Sequence, residues 1–158
     1  MDDFEGFYNE HREKLFSYLM RVIGDYFLSS DILQESFTRY LEHYRSHTRN
    51  VSLLYKIARN TLIDHFRRSK RDDYRIEDPK DRTNDQEHLL MVRQEYRQVL
   101  AGMQKLKKDE RDILALTLSG ELSYMEIASI VGISQGNVKV RVHRARMKLR
   151  EILQKRSS

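Results

Sequence analysis

The last third of the chain, residues 123–153, restricts the possible fold more than any other segment. It reads SYMEIASIVGISQGNVKVRVHRARMKLREIL. Ser123 and Glu126 have the S-x-x-E spacing of a capping box, so a helix should begin there. Gly132 should end that helix, because glycine readily adopts the left-handed conformation that follows many helices. Ser134 can cap a second helix. A helix pair with a short glycine-containing turn and a basic second helix is a common way to read the DNA major groove.

The second helix separates into an apolar face and a cationic face when its residues are placed at about 100° intervals. The apolar face should pack against the rest of its domain and consists of Val138, Val142, Ala145, Leu149 and Ile152. The opposite face, which is suited to base contacts, carries Gly136, Val140, His143, Arg144 and Met147. Cations flank that face where phosphates would lie, with Lys139, Arg146 and Arg150 on one side and Arg141 and Lys148 on the other.

The charge of this helix favours DNA binding over a merely solvated surface. Residues 135–158 contain eight Lys or Arg and a single acid, Glu151. A helix that is only solvated usually mixes the two signs at i,i+4 spacing, because such pairs add stability. We therefore predict a duplex DNA contact, with a solvated basic face as the alternative.

The composition of the chain indicates an all-α cytoplasmic protein. Its 158 residues include one proline, six glycines and no cysteine, which leaves no disulfide, thiolate metal site or thiol nucleophile. No segment approaches the roughly 20 apolar residues of a membrane span. The acidic N-terminus lacks the basic start and apolar run of a signal peptide. We expect no membrane insertion.

Positive and negative charge alternate along the chain. Residues 1–42 and 71–88 carry net charges of −5 and −3, whereas residues 43–70 and 89–158 carry +6 and +7, which gives +5 in total. Basic surfaces attract nucleic acid because binding releases the counterions condensed on its phosphates. The acidic segments should face a different partner, for which we expect a protein.

Three helical patterns occupy the first half of the chain. The first consists of mostly apolar residues at helical spacing, namely Phe4, Phe7, Tyr8, His11, Leu15, Tyr18, Leu19 and Val22. Gly24 and Asp25 should end it. A second helix should begin near Asp31, whose spacing to Gln34 suits a capping box, and a third near Ser52.

The segment that follows, residues 72–88, contains the only proline and few apolar residues. Such a composition is typical of a linker. A fourth helical pattern starts near Leu89, and a fifth covers Asp109 to Leu118, ahead of the helix–turn–helix pair. We therefore predict an all-α fold of two small helical domains, residues 1–71 and 89–158, joined by an acidic linker.

The third helix mixes cations, aromatic rings and an amide in one stretch, which comprises Tyr55, Lys56, Arg59, Asn60, His65, Phe66, Arg67 and Arg68. Rings that stack on bases and cations that follow the backbone suit single-stranded nucleic acid. The alternative is that Tyr55 and Phe66 are core residues. Composition alone leaves both interpretations open.

Three segments, in this order, resemble the conserved regions of a bacterial sigma factor of the extracytoplasmic-function group, within the sigma-70 family. DILQESFTRYL (31–41) is similar to the part of region 2 that docks on the β′ clamp helices of RNA polymerase. LLYKIARNTLIDHFRR (53–68) is similar to the part that melts and holds the −10 promoter element. Residues 122–153 are similar to the helix–turn–helix of region 4, which reads the −35 element. The likeness covers nearly the whole chain.

The resemblance implies a protein that is not an enzyme and that uses no metal or cofactor. It would bind the β and β′ subunits of core RNA polymerase and direct promoter-specific initiation. Asp31, Gln34, Glu35 and Phe37 would lie at the β′ contact. The acidic linker would follow the RNA-exit path, and an anti-sigma factor would be a common partner.

The resemblance also distributes the DNA contacts. The melted −10 strand, or its flanking phosphates, would be approached by Tyr55, Lys56, Asn60, Arg67 and Arg68. The bases of the duplex −35 element would be read by Lys139, Val140, His143 and Arg144, and its phosphates held by Arg141 and Arg146. The spacing of residues in the second helix independently places Val140, His143 and Arg144 on its outward face.

The chain departs from the family pattern at three positions. Leu53 stands where tryptophan is common, which weakens an aromatic role in strand opening there. Lys107 follows Leu106 where proline is usual, so the start of the fifth helix is less defined. Val140 stands where serine or arginine is common; it cannot donate a hydrogen bond but can contact a thymine methyl. The promoter sequence therefore cannot be copied from relatives.

Two other functions fit parts of the sequence. A DNA-binding regulator with a sensing or dimerising N-terminal half would share the helix–turn–helix, but it would not need residues 31–41 or the basic third helix. An enzyme is suggested only by His43 and His47, which follow Glu42 at i,i+4 spacing with no third metal ligand indicated. Solvated histidines near a helix end explain that pair. Binding to core polymerase distinguishes a sigma factor from both.

Overall fold

The computed structural model describes residues 3–44, 49–71 and 94–157. The helices in these ranges are α1 (Asp3–Ile23), α2 (Tyr26–Tyr44), α3 (Val51–Arg71), α4 (Gln94–Met103), α5 (Lys108–Leu118), α6 (Tyr124–Val131) and α7 (Gln135–Ser157). The described residues contain no strand, so the predicted all-α class is confirmed. The predicted linker and the expected start of the fourth helix, residues 72–93, lie outside the described residues.

Helices α1, α2 and α3 pack around a core rich in aromatic rings. Phe7 stacks on Tyr40 with ring centroids 4.9 Å apart. Tyr18 meets Tyr55 edge to face at 5.6 Å. These four side chains are at most 2% exposed. Burial of a large apolar side chain contributes about 1.5–3 kcal/mol, and a favourable ring pair adds about 0.5–1.5 kcal/mol. The rings therefore hold the three helices together.

The boundary between α1 and α2 lies earlier in the chain than expected. Gly24 has a φ of 76° and ends α1. The Asp25 carboxylate accepts a hydrogen bond from the backbone N–H of Leu28 at 3.2 Å, so it caps α2, which begins at Tyr26. The expected start near Asp31 was wrong because its capping-box spacing falls inside a continuous helix.

Helices α4 to α7 form the C-terminal unit, in which the predicted helix–turn–helix is confirmed. The backbone N–H of Glu126 donates to Ser123 Oγ at 3.1 Å, and that of Ser123 donates to Glu126 Oε1 at 2.9 Å. Gly132 has a φ of 83° at the end of α6. Ser134 Oγ accepts from the N–H of Asn137 at 3.1 Å and caps α7. Both caps and the turn are those that the sequence predicts.

Two local contacts fix α4 and α5 in the C-terminal unit. Lys107 lies just before α5, and its backbone N–H donates to Glu110 Oε1 at 3.3 Å, which defines the helix start without a proline. Gly102 lets α4 approach α7 closely, because a Cβ at this position would lie 2.9 Å from Leu149 Cδ1. The close approach explains why glycine is tolerated inside α4 despite its low helix propensity.

The N-terminal and C-terminal units lie in direct contact. Helix α1 packs against α5, and α3 packs against α6. The buried apolar side chains of both units belong to one continuous cluster. Side chains of the C-terminal unit therefore cover part of α1 and α3, and this arrangement decides which predicted site residues are accessible.

Candidate nucleic-acid interface

The buried face of α7 orients its DNA-facing side. Val138, Val142 and Ala145 are 0%, 1% and 0% exposed, because they pack on α5 and α6. Since a helix turns by about 100° per residue, the opposite side must face solvent. Val140 is 46% exposed there. The other predicted contact residues on this helix are also exposed, namely Lys139, Arg141, His143, Arg144 and Arg146.

One flanking cation of α7 has a partner within the protein. Lys148 Nζ lies 2.9 Å from Glu110 Oε2 and links α7 to α5. The hydrogen bond from Lys148 lowers the pKa of Glu110 below its usual value. Lys148 is therefore a packing contact for the recognition helix, in addition to any phosphate contact suggested by its position on the flank.

The predicted polymerase contact lies on α2. Asp31, Gln34 and Glu35 are exposed on one surface. Phe37 is only 3% exposed and points into the core, where its ring lies 4.7 Å from that of Tyr8. The structure thus brings the three polar residues together at the surface and places Phe37 beneath them.

The predicted −10 contacts on α3 divide into an exposed group and one buried residue. Lys56, Asn60, Arg67 and Arg68 are exposed. Tyr55 is 0% exposed, and its hydroxyl donates to Glu121 Oε2 at 2.8 Å. Burial, and then the charge and hydrogen bond of Glu121, raise the pKa of Tyr55 far above its usual value. Tyr55 therefore cannot touch a DNA strand in this arrangement.

Two carboxylates of the C-terminal unit contact the N-terminal unit, and sequence reasoning missed both. Asp112, on α5, accepts hydrogen bonds from the Tyr18 hydroxyl and from Arg59 Nε, each at 2.7 Å. Glu121, in the turn between α5 and α6, accepts from Tyr55, and its Oε1 lies 2.7 Å from Nδ1 of the buried His11. No local pattern signals these contacts, because the partners lie 53 to 110 positions apart in the chain.

The buried charges at this contact compensate one another. Burial, and then Asp112, raise the pKa of Tyr18 well above its usual value. Burial alone would lower the pKa of Arg59, but the hydrogen bond and charge of Asp112 outweigh it and raise that pKa. The Asp112 and Arg59 side chains are 16% and 23% exposed. Arg59 therefore keeps its charge in the interface, where it forms an ion pair with Asp112.

A second set of contacts joins the end of α1 to the turn between α4 and α5. The Arg111 guanidinium donates to four backbone carbonyls, those of Val22, Met103, Gln104 and Leu106, at 2.9 to 3.3 Å. Gln104 Nε2 donates to the carbonyl of Val22 at 3.3 Å. Burial lowers the pKa of Arg111. The last carbonyls of a helix lack partners within that helix, and here the C-terminal unit supplies them.

The metal-site alternative depends on the pair His43 and His47. Among the described residues, no cluster of three or more His, Asp or Glu side chains could hold a metal ion. Of the histidine pair, His47 lies outside the described residues. None of the helices described has both the length and the apolar character needed to cross a membrane.

The exposed basic recognition helix on its helix–turn–helix support defines a DNA-binding protein of the helix–turn–helix class. Comparison with known families identifies the group more narrowly. Residues 7–72 match the family model for sigma-70 region 2, and residues 96–149 match that for sigma-70 region 4. The chain belongs to the RNA polymerase sigma factors, in the extracytoplasmic-function group.

Curated relatives extend over almost the whole chain. The RNA polymerase sigma factor YlaC of Bacillus subtilis (strain 168) is 30% identical over 98% of this chain and 94% of its own length. The extracytoplasmic-function sigma factor SigM of the same organism is 29% identical over 92% and 91%. CarQ of Myxococcus xanthus, also a sigma factor, is 29% identical over 96% and 90%.

The fold is shared with solved structures, among them those of RpoE and CnrH. The sigma factor RpoE, in complex with the anti-sigma factor NepR from Bartonella quintana, superposes with a TM-score of 0.75 at 21% identity, covering 96% of this chain and 97% of that chain. CnrH, in complex with the cytosolic domain of CnrY, superposes with a TM-score of 0.65 at 22% identity, covering 96% of this chain and 87% of that chain.

As a sigma factor, the chain binds core RNA polymerase and promoter DNA and directs promoter-specific transcription initiation.

Proposed function

We propose that the two helical units divide this activity between them. Residues 1–71 bind core polymerase and the −10 element, residues 89–158 bind the −35 element, and residues 72–88 connect them. The observation that supports this division most is the orientation of α7, in which a fully buried valine and alanine face leaves the predicted base-reading residues in solvent.

In this proposal, the outward face of α7 reads the −35 duplex. Arg144 and His143 donate hydrogen bonds to base edges, and Val140 contacts a thymine methyl. Lys139 lies at the edge of the base-reading face. The phosphates are held by Arg141 and Arg146, which fix the register of the helix without reading sequence.

The N-terminal unit makes the other two contacts. Asp31, Gln34 and Glu35 form the exposed polar surface of α2 that docks on the β′ subunit, and Phe37 supports this surface from the core. Lys56, Asn60, Arg67 and Arg68 line the exposed side of α3 and approach the −10 strand or its flanking phosphates. Tyr55 is buried beneath this side and hydrogen-bonded to Glu121, so it does not join them in this arrangement.

We further propose that the activity is controlled by an anti-sigma factor in the cytoplasm, and that the protein has no catalytic role. Support for the partner comes from the fold: the sigma factor RpoE, which superposes on the chain, was captured with the anti-sigma factor NepR, and CnrH, which also superposes, was captured with the cytosolic domain of CnrY. Their sequences are 21% and 22% identical to this chain, so the partner's identity does not transfer.

Run-off transcription with purified core polymerase and a randomised promoter library tests the proposal. We expect core enzyme plus this protein to start at a defined set of promoters that share −35 and −10 elements. A DNA-binding regulator would bind some of the same duplexes but would not associate with core enzyme or support initiation. Absence of both core binding and specific initiation would refute the sigma-factor function itself.

A further inference from the structure

A cleft where the end of α1 meets α3 and α5 has no part in the proposed contacts with DNA or polymerase. It encloses about 600 Å³. Its wall is apolar and consists of Val22, Ile23, Leu62, Ile63 and Phe66. Its rim is polar and includes Arg59 and Lys108. Small-molecule sites in proteins usually have volumes of about 300–1,000 Å³. We name this feature the interhelix cleft.

We propose that the interhelix cleft binds a small organic carboxylic acid with an apolar or aromatic body. The body lies against Leu62, Ile63 and Phe66, and the carboxylate meets Arg59 and Lys108. None of the residues proposed to contact DNA or polymerase lines the cleft. The proposal therefore does not rest on those contacts, and either can fail without the other.

The first argument is that apolar side chains line the interhelix cleft without filling it. Leu62 and Val22 are 4% and 9% exposed, whereas Ile23, Ile63 and Phe66 are only partly buried. These last three keep apolar surface in contact with water at a concave site. An apolar ligand that displaces this water removes both its own surface and that of the wall from solvent, which favours binding.

The second argument is that two cations at the rim have unused hydrogen-bond capacity. Arg59 donates from Nε to Asp112 at 2.7 Å, but its terminal nitrogens Nη1 and Nη2 have no hydrogen-bond partner within residues 3–44, 49–71 and 94–157. Lys108 Nζ lies 6.0 Å from the centroid of the Phe66 ring and has no ion-pair partner in the same ranges. Because a guanidinium presents its donors as a fork, its free nitrogens suit the two oxygens of a carboxylate.

The third argument is the sign of the charge around the interhelix cleft. Its charged lining residues are Arg59, Lys108, Arg111, Asp109 and Asp112, which give a net charge of +1. Arg111 is satisfied by four backbone carbonyls, and both oxygens of Asp112 accept hydrogen bonds within the protein. The remaining donors are those of Arg59 and Lys108. An anionic head group gains from this charge, whereas a cationic one is repelled by it.

Three matched probe molecules test the class of ligand. Phenylbutyrate, phenylbutanol and phenylbutylamine share one apolar body and differ in the charge of the head group. Isothermal titration calorimetry with the full-length protein measures the three affinities. We expect saturable binding of phenylbutyrate with a Kd of about 1 mM or lower. The alcohol and the amine should bind at least about tenfold more weakly, because they lose the hydrogen bonds between two charged groups.

Nuclear magnetic resonance of isotope-labelled isoleucine methyl groups locates the bound acid. Saturating phenylbutyrate should shift the methyl signals of Ile23 and Ile63, which line the interhelix cleft. Ile127, which is 0% exposed in the core of the C-terminal unit and does not line the cleft, serves as the internal reference. Shifts that avoid Ile23 and Ile63 would overturn the placement of the ligand.

Two lysine variants separate the rim of the cleft from charge in general. Lys108→Met removes one rim charge and keeps a long side chain, so it should weaken phenylbutyrate binding about tenfold. Lys105→Met makes the same change at an exposed site outside the cleft and should leave the affinity unaltered. Ile63→Trp fills the cleft and should abolish binding, with circular dichroism to verify folding. If Ile63→Trp does not fold, the lysine variants and the three probes still decide the outcome.

Each remaining result counts for or against one part of the proposal. No saturable binding of any probe would overturn the interhelix cleft as a ligand site. Equal affinities for phenylbutyrate and phenylbutanol, or equal effects of Lys108→Met and Lys105→Met, would overturn the assignment of a carboxylate to its rim.

Discussion

Two valines of the recognition helix, two positions apart, provide a sharp test of its orientation. Val142 is 1% exposed and Val140 is 46% exposed. Replacing valine with alanine removes two carbon atoms, worth about 0.8 kcal/mol each when fully buried. The cavity left in the core adds a further penalty. Val142→Ala should therefore lower the free energy of unfolding by about 2–3 kcal/mol, whereas Val140→Ala should lower it by less than about 1 kcal/mol.

In DNA binding, the change at the exposed Val140 should have the larger effect and the change at the buried Val142 the smaller. Val140→Ala removes the proposed methyl contact and should change the preference among −35 duplexes at one base position, while Val142→Ala should leave that preference intact in the folded fraction. Urea denaturation followed by circular dichroism gives the stabilities, and fluorescence anisotropy with a panel of single-base −35 variants gives the preferences. Equal destabilisation by both changes would contradict the orientation of α7, and with it the assignment of the base-reading face.

Three further predictions concern the proposed contacts. Arg144→Ala should cost about 1–3 kcal/mol of discrimination between −35 sequences, measured by anisotropy, whereas loss of a phosphate contact would weaken all duplexes equally. Gln34→Ala or Glu35→Lys should reduce retention of the protein by immobilised core polymerase without altering −35 duplex binding. Full retention of both variants would contradict the assignment of α2 to the polymerase contact. The raised pKa values of Tyr18 and Tyr55 stabilise the folded protein below about pH 10, and that stability should decline above it by up to about 1.4 kcal/mol per pH unit for each phenol. The free energy of unfolding, measured by urea denaturation at several pH values, should therefore fall above about pH 10, and Tyr55→Phe should flatten this dependence.

The features that sequence predicted well are those whose causes are local. The capping box of Ser123 and Glu126, the left-handed Gly132 and the cap at Ser134 all involve residues within a few positions of one another. The same holds for the buried face of α7, because a fixed helical repeat converts spacing into direction. The start of α2 was missed for a local reason too, since Asp25 competes with Asp31 as a cap and only the former follows the helix-ending Gly24.

The contact between the N-terminal and C-terminal units could not be predicted from the sequence. The sequence allowed Tyr55 to be either a ring that stacks on a DNA strand or a core residue, because the composition of α3 suits both. The choice depends on Glu121, which lies 66 positions away. Asp112 and Glu121 entered the sequence argument only as part of a net charge. No periodicity links them to α1 and α3, since their partners are set by the packing of two independent helical units.

The chemistry of the contact also limits how tightly it can hold the two units together. A neutral hydrogen bond contributes about 0.5–1.5 kcal/mol net, and one to a charged group about 1.5–3 kcal/mol, because the separated groups regain hydrogen bonds to water. A partner that binds only the open form, in which the two units are separated, with nanomolar affinity supplies about 12 kcal/mol. The contacts of Asp112, Glu121 and Arg111 can therefore hold the two units together and still yield to a large partner that requires their separation. Replacing the same contact with packed leucines would remove that reversibility, since the apolar surfaces would resist exposure to water in the open form.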